Sequence, residues 1–140
     1  MFEEERDPHT YRLFISQIPD TSEEYDRFIS KLDRAYDFSW ENSSHAAKTD
    51  EKNLKSQIEP SEVVVVLSGL YSPGPEIIKN IFSIASQLKK PVVLIRPYGV
   101  ENVPLELEEK ASDVIGWNAP CIVDAIKGVL NNQNEESCKI

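Results

Sequence analysis

The hydrophobic pattern is sharpest at the centre of the chain, where Val63-Val64-Val65-Val66-Leu67 form an unbroken apolar run. A run without polar alternation predicts a strand buried on both faces, as at the centre of a parallel sheet. Pro91-Val92-Val93-Leu94-Ile95 repeats it, with the proline at the strand start, where a lost backbone donor is tolerated. Between the two runs, Ile77, Ile78, Ile81, Phe82, Ile84, Ala85 and Leu88 keep helical spacing, and Pro75 suits a first turn. Strand, helix and strand then make a β-α-β unit with a right-handed crossover.

The flanks continue the alternation. Tyr11 to Ser16 predicts a first strand. Thr21-Ser22-Glu23-Glu24 has capping-box spacing and leads into a helix with Tyr25, Phe28, Ile29 and Leu32 on one face. Tyr36 to Trp40 predicts a short second strand, Lys48 to Ile58 a polar surface helix, and Val103 to Lys110 a further short helix. Asp113 to Trp117 predicts a fifth strand, and Asn118 is placed to cap a last helix from Ala119 to Leu130. Residues 1–10 read as an extension, 11–130 as one domain and 131–140 as a polar tail. These elements predict a doubly wound three-layer α/β sandwich with a five-stranded parallel sheet of order 2-1-3-4-5. In that architecture ligands bind beyond the carboxyl ends of the strands, near the switch between the first and third. The loops so selected are Ser16-Gln17-Ile18, Trp40-Glu41-Asn42, Ser68-Gly69-Leu70-Tyr71, Arg96-Pro97-Tyr98 and Trp117-Asn118.

Charge narrows the function classes. The 140 residues carry 24 acids against 15 bases, a net charge of −9, with no basic stripe. Such a surface is poorly suited to neutralising phosphates, so nucleic-acid partners and anionic membrane surfaces are not expected. The longest apolar run is far too short to span a bilayer, and Met1-Phe2-Glu3-Glu4-Glu5 lacks the basic and apolar regions of a signal peptide. Cys121 and Cys138 are too few for a disulfide framework, so a cytoplasmic setting is expected.

Several chemistries of this architecture lack their residues. A phosphoryl-accepting receiver needs acids after the first and third strands, and the chain has Ser16-Gln17 and Ser68-Gly69 there. A flavin-phosphate loop would be rich in hydroxyls and glycine, whereas Gln17-Ile18-Pro19-Asp20 is apolar and acidic. Neither GxGxxG nor a P-loop occurs. His9 and His45 lack further ligands at metal-binding spacing. Cys121 lies near a helix start, which favours a thiolate, or else packs as a small residue against the sheet. Trp40, Tyr71, Tyr98 and Trp117 either stack on a base or nicotinamide, with Arg96 holding a phosphate, or simply close the top of the core. Arg96 could equally pair with Glu101 or Glu76.

Val64-Val65-Val66-Leu67-Ser68-Gly69-Leu70-Tyr71, Lys90-Pro91-Val92-Val93, Arg96-Pro97-Tyr98-Gly99 and Val114-Ile115-Gly116-Trp117-Asn118 together resemble the TIR-like domains of the Thoeris ThsB type. Phe14-Ile15-Ser16 and Phe38-Ser39-Trp40-Glu41-Asn42 fit that family's first two strands. The similarity covers roughly residues 11–130 and is nearest to a small archaeal member of flavodoxin-like fold. It implies a flavodoxin-like, TIR-like domain acting in antiphage defence, where family members make a cyclic ADP-ribose-like signal from NAD. Their glutamate in the helix after the third strand orders the nicotinamide ribose and stabilises developing positive charge.

Carried onto this chain, Tyr71 matches the family's tyrosine, but Ile77 stands at its tryptophan and Ile81 at its glutamate. An isoleucine accepts no hydrogen bond and offsets no oxocarbenium charge. Glu76 is five residues from Ile81, about 500° of helical rotation, and so roughly 140° from the required face; it suits the positive helix N-terminus better. The resemblance therefore implies a non-catalytic module that binds a nucleotide-like ligand or a protein partner, with no required cofactor. Its ligand would be NAD or a related nucleotide, held by Ser16, Gln17, Trp40, Gly69, Tyr71, Arg96, Tyr98 and Trp117. The rival expectation is an NAD-cleaving enzyme with a relocated acid, Glu76 or Glu41. A third is a pure interaction module that forms homo-oligomers or pairs with a TIR-type partner.

Overall fold

In the computed structural model, which describes residues 8–19, 23–35, 37–45, 47–96 and 105–131, the apolar runs become neighbouring strands of one sheet. The strands are β1 (Thr10–Ile15), β2 (Ser39–Asn42), β3 (Val63–Leu67), β4 (Val92–Ile95) and β5 (Asp113–Ile115). All pair in parallel, in the order β2-β1-β3-β4-β5. The intervening helices are α1 (Glu23–Asp33), α2 (Glu51–Ile58), α3 (Pro75–Gln87), α4 (Leu105–Lys110) and α5 (Ala119–Asn131). Helix α1 packs against α5, and α2 against α3, which gives the expected doubly wound sandwich.

Burial explains why the unbroken runs lie where they do. Every residue of β3 is at 0% exposure, because this strand has neighbours on both edges and helices on both faces. Leu13, Phe14 and Ile15 of β1 and all of β4 join the same core. The α3 stripe is buried at Ile78, Ile81, Phe82, Ile84 and Ala85, while Ile77 and Leu88 are half-buried at its rim.

Most predicted elements recur with ends moved by a few residues, and β2 differs more. It starts at Ser39 rather than Tyr36, which lies outside the described residues. Asp37 takes a left-handed φ of 55°, a conformation aspartate tolerates, and Phe38 stacks on Tyr11 with ring centroids 5.1 Å apart before extended pairing begins. Helix α2 starts at Glu51, capped by the Asp50 side chain, rather than at Lys48. Asn118 caps α5 as expected, its side-chain oxygen accepting from the Cys121 N–H at 3.2 Å. Thr21, Ser22, Val103 and Pro104, and the tail from residue 132, lie outside the described residues.

Helix α3 ends in a Schellman motif. The Lys90 N–H donates to the Ala85 carbonyl at 2.8 Å and the Lys89 N–H to that of Ser86 at 3.1 Å. Lys89 occupies the left-handed position with φ 59°, where glycine is usual. A side chain there costs about 1 kcal/mol relative to glycine. No helix among the described residues is long and apolar enough to cross a membrane.

Candidate functional site

The carboxyl edge of the sheet is assembled from short polar residues that follow each strand. Ser16 ends β1 at 0% exposure, and its Oγ accepts from the Leu67 N–H at 2.9 Å, locking β1 to β3 where the strand order reverses. Beside it, the Asn42 amide closes β2. Its Oδ1 accepts from the Ile15 N–H (3.1 Å), the Ser44 N–H (3.1 Å) and the Ser44 hydroxyl (3.0 Å), and its Nδ2 donates to the Tyr25 hydroxyl at 2.8 Å. Burial pushes the Tyr25 hydroxyl pKa up, and the bond from Asn42 works against that shift. Gln17 joins the network by donating to Ser44 Oγ at 2.7 Å. Gln57 secures the next stretch, accepting from the His45 N–H at 2.9 Å and donating to the Lys48 carbonyl at 2.8 Å.

At the end of β3 the chain turns through Ser68–Leu70. Ser68 is 4% exposed, and its Oγ has no hydrogen-bond partner among the described residues. A buried hydroxyl without a partner costs about 1 kcal/mol or more, because its water has been removed and not replaced. Ser68→Ala is therefore expected to raise stability by about 1 kcal/mol, measured by urea denaturation. Unchanged or lower stability would mean that the hydroxyl has a role in the fold.

Gly69 lies under a carboxylate. A Cβ built at Gly69 would come within 2.2 Å of Glu24 Oε2, so the half-buried Glu24 side chain, from the first turn of α1, rests directly on the Gly69 backbone. Glycine is required here for close approach. The same edge is covered at the start of α3, where the Ile18 side chain would lie 2.9 Å from a Cβ on Gly74. An apolar side chain thus occupies the place where a phosphate-binding loop would expose backbone donors.

Of the aromatic residues weighed for stacking, Trp40, Trp117 and Tyr71 lie in different surroundings. Trp40 pairs in register with Tyr11, at the amino end of β1, five residues before Ser16. That separation is about 16 Å along the strand. The late start of β2 is the reason: Trp40 falls near the strand's beginning, and the edge is reached only at Asn42. Trp117 Nε1–H donates to the Arg96 carbonyl, and its ring meets Phe28 edge-on at 5.8 Å, so it closes the top of the core. The Tyr71 hydroxyl donates to the Glu106 carboxylate of α4, which raises the phenol's pKa and lowers the acid's. Arg96 is half-buried, and no ion pair joins it to Glu76. Tyr98 and Glu101 lie outside the described residues.

The acids weighed for catalysis point away from the buried groups of this edge. Ile81, at the expected glutamate position, is at 0% exposure in the core. Glu76 and Glu41 are both exposed, on the first turn of α3 and on the outer strand β2. The acid that reaches the switch between β1 and β3 is Glu24, whose capping-box spacing predicts only a helix start. The available signal was its position. An acid in the first turn of the helix after β1 starts at the carboxyl edge, and Cβ bonds in a helix tilt toward its N-terminus. His9 Nε2–H donates to the Glu62 carboxylate at 2.9 Å, and Cys121 packs half-buried against the core. No group of three or more His, Cys, Asp or Glu residues among those described is arranged to hold a metal ion.

Residues 2–102 match the family model described as Thoeris protein ThsB, TIR-like domain. Among solved structures, the response regulator domain of Thermotoga maritima CheB superposes with a TM-score of 0.58 at 15% identity, covering 88% of this chain and 98% of that one. That likeness is one of fold, since the receiver's acidic positions are Ser16 and Ser68 here. No curated protein matches the chain.

Proposed function

This chain belongs to the Thoeris ThsB TIR-like domain family, and on that premise we propose that it is a non-catalytic nucleotide-ligand-binding module of antiphage defence signalling. The observation that carries the reading is Ile81: the position of the family's glutamate is apolar and at 0% exposure, inside the core. An isoleucine there has no carboxylate to offer a bound ribose. At the ligand edge the Ser68 hydroxyl, without a hydrogen-bond partner among the described residues, is a group suited to bonding a nucleotide's sugar or amide. In this reading the domain works in the cytoplasm, needs no cofactor for folding, and passes its signal to a second copy or to a TIR-type partner.

The test is a thermal-shift series with NAD, ADP-ribose and cyclic nucleotides, alongside an assay for nicotinamide release from NAD. A saturable rise in Tm without turnover is the expected result, since ligand bound to the native state alone must stabilise it. Turnover at enzymatic rates would sink the non-catalytic reading.

One observation favours NAD cleavage with a relocated acid: the Glu24 carboxylate seated on Gly69 at the end of β3. In that case Glu24, in place of Glu76 or Glu41, would oppose the developing cationic charge on the ribose. Gly69→Ala displaces this carboxylate, because the group in the way is the far end of a flexible side chain. On this second reading, Glu24→Gln and Gly69→Ala each remove turnover by about 100-fold or more while ligand-induced stabilisation persists. Activity surviving both changes would eliminate Glu24 as the acid.

A further inference from the structure

The amino end of the sheet carries a second feature, far from the loops at its carboxyl edge. A groove of about 620 Å³ opens between the end of α3, the start of β4 and the end of α4. Its floor holds Phe82 and Val92, each 4% exposed, and its walls carry Ser83, Ser86, Gln87 and Ser112. Lys89, Lys90 and Lys110 line it, and no acid among the described residues does. In a chain with 24 acids against 15 bases, three cations around one concavity oppose the overall charge. Glu106, the acid one turn before Lys110 on α4, is engaged by Tyr71.

The backbone supplies a second, independent sign. Lys89 holds a left-handed φ of 59° at the cap position that glycine fills without strain. Strained residues persist where the side chain serves something besides stability. A structural account is available, since cations favour the negative ends of helices. That account leaves the position of Lys89 unexplained, because its own motif already supplies backbone N–H groups to the last carbonyls of α3. It also leaves the concavity unexplained.

We propose that this groove binds a phosphate-bearing small anion of diphosphate size or larger, with Lys89, Lys90 and Lys110 as its charge partners. Its volume falls in the range of small-molecule sites. The apolar floor excludes water beneath the anion and strengthens each ion pair over a fully exposed one. The serine hydroxyls and the Gln87 amide are the neutral donors within the same walls.

The test is titration of the full chain with pyrophosphate at low ionic strength, by calorimetry and thermal shift, against sodium chloride at matched ionic strength. A saturable response beyond the salt control is expected. Lys90→Gln and Lys110→Gln should each weaken the apparent affinity by about fivefold. Lys89→Gly carries the sharper expectation: a higher Tm without anion, from the relieved backbone, together with weaker pyrophosphate binding. ADP is the second probe, and binding tighter than pyrophosphate that the three lysine variants weaken would assign part of the groove to a nucleoside. Gly69→Ala must leave the pyrophosphate response unchanged, which separates this groove from the ligand edge. A pyrophosphate response no larger than the salt control, or one unaltered in all three lysine variants, would overturn the proposal.

Discussion

Ile81→Glu, the substitution that restores the family's acid, is expected to destabilise the domain by at least about 4 kcal/mol at pH 7 and to yield no NAD turnover. Position 81 is at 0% exposure on the buried stripe of α3, with Ile78, Phe82 and Ala85 alongside. A carboxylate there has no water and no cation, so burial raises its pKa far above the unfolded value of about 4.3. The native state then keeps a proton that the unfolded state has released. Stability consequently falls by about 1.4 kcal/mol per pH unit from about pH 4.3 up to the raised folded pKa. Most domains have only about 5–15 kcal/mol in total, so the variant is marginal at neutral pH and recovers on acidification. Urea denaturation at pH 5 and pH 7 measures the slope, with Ile81→Gln as the uncharged control lacking it. A variant as stable as the parent at pH 7 would place residue 81 outside the core, and the case against catalysis would lose its basis.

Asn42→Ala should cost about 3 kcal/mol, the largest effect expected of a polar residue at the ligand edge. The Asn42 carbonyl accepts from three donors belonging to Ile15 and Ser44, and its amide donates to Tyr25. The orientation of the amide is set by this network, since reversing it would place an N–H₂ group against the Ile15 N–H. Alanine removes four hydrogen bonds at about 0.5–1.5 kcal/mol each and strands a backbone donor on a strand whose side chain is fully buried. Tyr25→Phe removes one of the four and should cost about 1 kcal/mol. Comparable losses in the two variants would show that the contacts to Ile15 and Ser44 contribute little. Because Ser44 also holds Gln17, the alanine variant should loosen the ligand edge as well, seen as a smaller ligand-induced rise in Tm.

The two changes probe different parts of the same fold, and they differ in how legible their positions are in the sequence. Ile81 falls on an apolar stripe whose 3.6-residue period alone marks it as buried, and the structure places it at 0% exposure. Asn42 carries no such mark. Its role depends on β2 beginning at Ser39 and ending beside Leu13, a register set by pairing with β1 rather than by any local signal. The shift that carries Asn42 to the edge also carries Trp40 away from it, to the level of Tyr11. Trp117 and Tyr71 likewise find partners in Arg96 and Glu106, on segments distant in sequence.

The strand order, the central place of Val63–Leu67 and the loss of the expected acid at position 81 are all legible in the chain alone. Each follows from local periodicity, from handed crossovers or from residue identity, and none needs the position of a distant neighbour. Which side chains meet at the ligand edge depends instead on how the elements pack. Glu24 comes to rest on Gly69 because α1 starts where β3 ends, 45 residues apart in the chain. Lys89, Lys90 and Lys110 share a groove because α3 and α4 end on the same side of β4. Such contacts are set by the packing of whole elements, and a chain read residue by residue does not display them.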